Sequence, residues 1–146
     1  MEGRAVNSAT QITGGCLCRR VRYVISAAPI AMRLCWCRDC QYFASGNATV
    51  NVVFPVDALR TEGELRDFQS VAQSGNRMHR RFCPECGTHV FSTAESRPHL
   101  VIVRNGTLDD TSLLKPDATI WTASAPEWAW IDESIPRHVG QPPPVA

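Results

Sequence analysis

Apolar and polar residues alternate along this chain in short runs, and no stretch keeps the rhythm of a long amphipathic helix. Residues 21–26 place Val21, Tyr23 and Ile25 on one side of an expected strand. Residues 31–37 read as an extended segment, and residues 41–44 as a single helical turn ended by Ser45, Gly46 and Asn47. The β-branched and aromatic run 49–54 (TVNVVF) is stopped by Pro55. Residues 64–70, 77–82 and 89–93 are further short strands. Residues 99–104 (HLVIVR) form the clearest buried one, closed by the turn Asn105-Gly106. A last strand is expected at 119–122. Residues 1–10 read as a flexible arm and 138–146 as a Pro-rich mobile tail. The pattern predicts a mostly β single domain over 11–137, with no internal repeat.

Composition narrows the functional classes. At 146 residues and 44% apolar content the chain can bury a core without covalent staples. Its formal charge of +1 argues against a nucleic-acid partner. No apolar run approaches the roughly 20 residues a membrane helix needs, and the first residues lack the apolar segment of a secretory signal. The expected compartment is cytoplasmic, where thiols stay reduced.

That compartment matters because the chain carries seven cysteines, in three groups. They are Cys16 and Cys18; Cys35, Cys37 and Cys40; and Cys83 and Cys86. An odd count and a one-residue spacing both disfavour disulfides. Metal binding fits instead. Residues two apart on a strand point the same way, and a C-x-x-C turn also presents two sulfurs together. Seven thiolates divide into a closed four-sulfur site and an open three-sulfur site. We expect Cys16, Cys18, Cys83 and Cys86 in the first, and Cys35, Cys37 and Cys40, too short a loop to encircle a metal, in the second. A pairing of Cys16 and Cys18 with Cys37 and Cys40 stays open on spacing alone. Iron–sulfur spacings differ from these. An open zinc with three thiolates suits a thiol ligand better than metal-hydroxide hydrolysis.

The segments GGCLC, VRY, CxCRDCQ, SG, RFCPECGT and NGTLDD together resemble the glutathione-dependent formaldehyde-activating enzyme family, whose domain is shared by centromere protein V. The resemblance runs from about Gln11 to about Arg137 and includes all seven cysteines. It implies a β-tent fold of short antiparallel sheets stapled by zinc. It also implies a structural zinc on Cys16, Cys18, Cys83 and Cys86 and a catalytic zinc on Cys35, Cys37 and Cys40. The implied activity is carbon–sulfur lyase chemistry on a glutathione–aldehyde adduct, the founding reaction giving S-hydroxymethylglutathione. The family loop usually reads C-H-C, and here Trp36 stands at the histidine position.

Small thiols such as glutathione, with an aldehyde, are then the expected partners. Candidate substrate residues are Arg38, Gln41, Ser45, Gly46 and Asn47 after the open site, and Trp121 in the last strand. Each has a plainer role: a surface ion pair for Arg38, turn formation for the polar run, core or rim packing for Trp121. Arg19, Arg20, Arg22, Arg77, His79, Arg80 and Arg81 flank the four-sulfur pairs and read as compensation for their negative charge. His89 reads as a packed strand residue. A zinc-stabilised binding or carrier module without turnover is the alternative, and a homodimer is compatible with either.

Overall fold

The computed structural model describes residues 11–144, so the expected N-terminal arm lies outside the described residues. The short alternating runs do form strands. Three make a small antiparallel sheet in the order β1 (Ile12–Gly15), β2 (Arg22–Ile25), β5 (Leu59–Glu62). The larger sheet has seven. Its order is β10 (Ala118–Ile120), β3 (Ala31–Cys35), β4 (Thr49–Pro55), β9 (Arg97–Arg104), β8 (His89–Ala94), β7 (Arg77–Phe82), β6 (Arg66–Val71). All its pairs are antiparallel except β10 with β3. One short helix, α1 (Arg38–Phe43), links β3 to β4. The mostly β, single-domain expectation holds. Among the described residues no helix is long and apolar enough to cross a membrane.

The departures from the sequence reading are local. β1 and β5 were not expected, because β1 is half glycine and β5 (LRTE) is largely polar and exposed. The helical turn starts earlier than expected, at Arg38, because Cys37 caps it: its Sγ accepts from the Cys40 amide at 3.3 Å. The last strand stops at Ile120, since Trp121 adopts a left-handed conformation that a strand cannot continue.

Period-2 alternation gives the large sheet two different faces. One face carries Val52 and Phe54 of β4, Val90 of β8, and Val101 and Val103 of β9 into the main core. Val21, Tyr23 and Ile25, from β2 and the turn before it, fill the same core from the small sheet. Burying each such side chain is worth about 1.5–3 kcal/mol. The buried Tyr23 hydroxyl lies 2.7 Å from Thr107 Oγ1, and the Thr107 hydroxyl donates to the Arg104 carbonyl, so Tyr23 is the donor of the pair. Gly14 makes room for that ring: a Cβ there would sit 2.4 Å from both Tyr23 Oη and the Thr107 carbonyl oxygen. The other face of the sheet carries polar residues and the cleft described below.

The chain beyond Arg137 returns along β10. The His138 amide donates to the Thr119 carbonyl at 2.9 Å, and the amides of Trp121, Thr122 and Ala123 donate to the carbonyls of Gly140, His138 and Val139.

The outer strands share one ionic cluster. His79 of β7 binds Asp67 of β6 through Nδ1 (2.7 Å) and Glu95, just past β8, through Nε2 (2.8 Å). The Asp67 and Glu95 hydrogen bonds hold the His79 pKa above its ordinary 6.5. A raised folded-state value means that the stabilisation is complete below about pH 6.5 and is lost as pH rises through the raised value. The denaturant midpoint is therefore expected to fall between about pH 6 and pH 9 in the native chain. His79→Gln should remove much of that fall, as paired denaturation curves at the two pH values would measure.

Candidate functional site

Two hairpin ends converge on the first sulfur cluster. Cys16 and Cys18 lie in the turn from β1 to β2, and Cys83 and Cys86 lie in the turn from β7 to β8. Gly87 supplies the positive φ (77°) that the second turn needs. The Sγ atoms of Cys16, Cys18, Cys83 and Cys86 all lie within 4.8 Å of one another. Cys16 and Cys18 approach to 3.6 Å, and Cys18 and Cys83 to 3.8 Å, far beyond a disulfide bond. Backbone amides point at the sulfurs: Val21 donates to Cys16 Sγ at 3.3 Å, and Glu85 to Cys83 Sγ at 3.4 Å. Thr88 ties the hairpins together, its Oγ1 accepting from the Leu17 amide and touching Cys86 Sγ.

The second cluster is built from the end of β3 and the start of α1. Cys35 closes the strand, Cys37 caps the helix, and Cys40 lies in its first turn. All three are buried, with their sulfurs within 4.8 Å of one another. The alternative grouping of Cys16 and Cys18 with Cys37 and Cys40 is not the one the fold assembles. Trp36 is buried, edge-on to Trp128 at 6.2 Å, and is not among the residues lining the cleft described below.

Three sulfurs this close cannot all be anions unaided. Two unit charges about 4 Å apart repel by about 4 kcal/mol at an effective dielectric near 20. One charge is accommodated on Cys40. Hydrogen bonds from Cys35 and Cys37, then the charge of Arg104, pull its pKa down to about 2. Within the same cluster, Cys37 and Cys40 push Cys35 far upward. Removing the remaining protons calls for a cation between the sulfurs. Soft donors, burial and amide hydrogen bonds to the sulfurs make both clusters fit a divalent metal such as zinc.

The three-sulfur cluster forms one end of a cleft floored by the second face of the large sheet. Register orders its floor into rows. Ile120 and Cys35 form the first row. Arg33, Asn51 and Arg104 form the next, and Val53, Ile102, Ser92 and Arg80 lie one row further out. With Arg97, four guanidinium groups and no carboxylate line this cleft among the described residues. Arg104 donates to Asn51 Oδ1 and to His89 Nδ1. A guanidinium can only donate, so the His89 proton sits on Nε2, facing Ser92 Oγ at 3.1 Å. Burial, then the charges of Arg104 and Arg80, pull His89 down to about 3 and keep it neutral. Arg33, which lines the cleft, has a buried Nε with no hydrogen-bond partner, a donor left unsatisfied by the protein itself.

Of the expected substrate residues, Trp121 lines this cleft; Arg38, Gln41, Ser45, Gly46 and Asn47 do not. Arg38 donates to Gln41 Oε1 at 2.7 Å and lies over the Tyr42 ring. Gln41 is buried, and its Nε2 bonds the carbonyls of Trp36 and Ser124, fastening α1 to the segment after β10. Ser45 and Gly46 make the positive-φ turn after α1, and Asn47 Oδ1 accepts from the Ala48 amide. The expected compensating cations also have other partners. Arg22 binds Asp109, Arg20 faces Glu85, His79 and Arg81 meet Asp67, and Arg80 belongs to the cleft. Sequence reasoning missed Arg33, Asn51, Arg80, Arg97, Arg104 and Gln141. Asn51 and Arg104 carried a usable signal, as polar residues within strongly apolar strands.

A sequence model described as "Glutathione-dependent formaldehyde-activating enzyme" matches residues 11–124. Among solved structures, that of a Rhodobacter sphaeroides protein is similar, with a TM-score of 0.56 at 16% identity. The match covers 86% of this chain and 98% of that chain, and at such identity it speaks for the fold alone. No curated protein matches the sequence.

Elemental analysis of protein purified under reducing conditions should find two metal ions per chain, one for each cluster. Cys37→Ser should lower the count to one while the fold persists. Cys83→Ser should destabilise the chain by several kcal/mol, read from its denaturation midpoint, because metal affinity at the four-sulfur site is folding free energy.

Proposed function

This chain belongs to the glutathione-dependent formaldehyde-activating enzyme family, and we propose that its cleft binds a small thiol such as glutathione and makes or breaks that thiol's adduct with an aldehyde. The observation that carries this reading is the convergence of three buried sulfurs at the end of a cleft with four arginines and no carboxylate. In this reading Cys16, Cys18, Cys83 and Cys86 hold a structural zinc, and Cys35, Cys37 and Cys40 hold a catalytic one. Zinc in the latter site supplies a Lewis acid that favours the deprotonated form of an incoming thiol. The sulfurs require a reducing compartment, the cytoplasm being the natural one.

The chain's own residues do the rest. Glutathione carries two carboxylates, and Arg80 and Arg97, set away from the sulfurs, are placed to receive them as charge-assisted hydrogen bonds. Ile120 and Trp121 pack against the cysteines and give that end an apolar wall. As the thiolate sulfur bonds to the aldehyde carbon, the carbonyl π pair moves to oxygen. The row holding Arg33 and Arg104 offers guanidinium donors for that alkoxide. Among the described residues no His, Lys, Tyr, Asp or Glu lines the cleft, so the proton completing the hemithioacetal comes from water. The reverse reaction returns it there. The same lack of a proton carrier favours a second reading, a carrier that sequesters the adduct without accelerating its formation.

Exchange NMR of formaldehyde and glutathione separates the two. Catalytic amounts of protein should speed the interconversion if the chain is an enzyme, and only stoichiometric amounts should alter the spectrum if it is a carrier. In cobalt-loaded protein, added glutathione should shift the thiolate-to-metal absorption. Arg33→Gln should weaken that titration about tenfold, the loss of one hydrogen bond to a charged group. Arg38→Ala should change it less than about twofold. No spectral response to glutathione would refute both readings.

A further inference from the structure

The family match ends at residue 124, yet Gln141, at the end of a strap of residues 138–141, lines the cleft. This strap runs beside the end of β10 and the turn after it. Thr119, Trp121, Thr122 and Ala123 all exchange backbone hydrogen bonds with it or with Pro136 just before it. At its centre Trp121 holds φ 59° and ψ 37°. A bulky residue in the left-handed region carries roughly 1–3 kcal/mol of strain and persists only where its surroundings over-determine it. The strap provides that constraint from two directions. The Trp121 amide donates to the Gly140 carbonyl at 3.3 Å, and the indole Nε1 donates to Gln141 Oε1 at 3.1 Å. The ring is thereby held against the cluster of Cys35, Cys37, Cys40 and Ile120.

We propose that Trp121 is the specificity residue that limits the size of the group on the aldehyde carbon, and that Gln141 is the positioning residue that holds its ring in place. The inference rests on the thiol reading above and deepens it. An adduct carbon is bonded directly to the sulfur that docks at the cysteines, so its substituent projects within a bond or two of them. Beside Cys35 the floor is charged and polar on one side, through Arg33, Asn51 and Arg104, and apolar on the other, through Ile120 and Trp121. An alkyl substituent avoids the charged side and meets the indole. A hydrogen, as formaldehyde provides, needs no space there. The strap, not the cysteine loop, therefore sets the substrate class: adducts of formaldehyde-sized aldehydes are admitted and longer ones are excluded.

The test uses stable thioether analogues, so that it does not depend on turnover. S-methylglutathione and S-hexylglutathione are titrated calorimetrically into zinc-loaded native protein, Trp121→Ala and Gln141→Ala, with metal content measured for each. The native chain should bind the methyl compound at least about tenfold more tightly, since overpacking a well-filled site costs about 1–3 kcal/mol. Trp121→Ala should abolish that preference. Gln141→Ala, an exposed position with no core contact to lose, should reduce it by at least about threefold at unchanged metal content. Equal binding of the two compounds by the native chain overturns the proposal, as does an unaltered preference in either variant. Failure of the native chain to bind glutathione or either derivative would instead remove the thiol reading, and this inference with it.

Discussion

Ionised sulfur repels ionised sulfur, and this chain packs seven thiols into two knots where neighbours lie within 4.8 Å. Such crowding is tolerable only if protons remain on most of the sulfurs or a cation stands among them. The surrounding backbone favours the cation. Amides of Val21, Cys40 and Glu85 aim at sulfur, which stabilises thiolate over thiol. Around the four-sulfur knot the requirement shapes the whole fold, because its ligands come from the β1–β2 turn and the β7–β8 turn, which belong to different sheets. A metal there would hold the small sheet to the large one at the edge of the shared core.

The three-sulfur knot solves the same problem differently. It sits on the face of the large sheet that does not carry the core, beside buried guanidinium groups. Four sulfur ligands around a divalent ion leave two net negative charges, three leave one, and Arg104 lies close enough to both Cys40 and Cys35 for its charge to act on them. A thiolate arriving from outside adds a further negative charge. The guanidinium groups of Arg33, Arg80 and Arg97 also line the cleft, Arg80 being paired with Asp39 at 3.4 Å. The sheet thus separates two tasks by residue parity alone. Odd positions of β4, such as Asn51 and Val53, look into the cleft, while Val52 and Phe54 look into the core.

Parity and spacing also explain what could be read in advance. The cysteine groups were legible because C-x-C and C-x-x-C spacings constrain where sulfurs point, whatever the tertiary structure. Strands such as 77–82 and 99–104 were legible from composition. β1 and β5 were not: their pairing depends on β2 lying between them, a tertiary circumstance that two glycines and a polar tetrapeptide do not encode. The cleft residues failed for a related reason. Nearness to Cys37 in sequence suggested Arg38, but the helix that begins there turns Cys40 inward and Arg38 out toward Tyr42. The cations that line the cleft come from β3, β7 and β9, which only sheet order brings together. Gln41 looked like a ligand contact because it is polar; its burial and its bonds to Trp36 and Ser124 make it a fastener.

Trp36 sharpens what chemistry such a cleft can sustain. A histidine between Cys35 and Cys37 would occupy a buried position whose backbone is already fixed, its amide bonded to the Ile120 carbonyl and its own carbonyl to Gln41. The indole there is buried edge-on to Trp128 and does not line the cleft, so the substitution changes packing around Trp128 rather than the cleft lining. The other imidazole near the site, His89, has its Nδ1 occupied by Arg104 and is held neutral by burial and positive neighbours. Among the described residues no side chain is therefore poised to shuttle a proton at the sulfur end of the cleft. Reactions that need a strong general acid, such as expulsion of a poor leaving group, are unsuited to it. Addition of a thiolate to an aldehyde is suited, because the alkoxide it forms is basic enough to take its proton from water and needs only positive charge nearby while it exists.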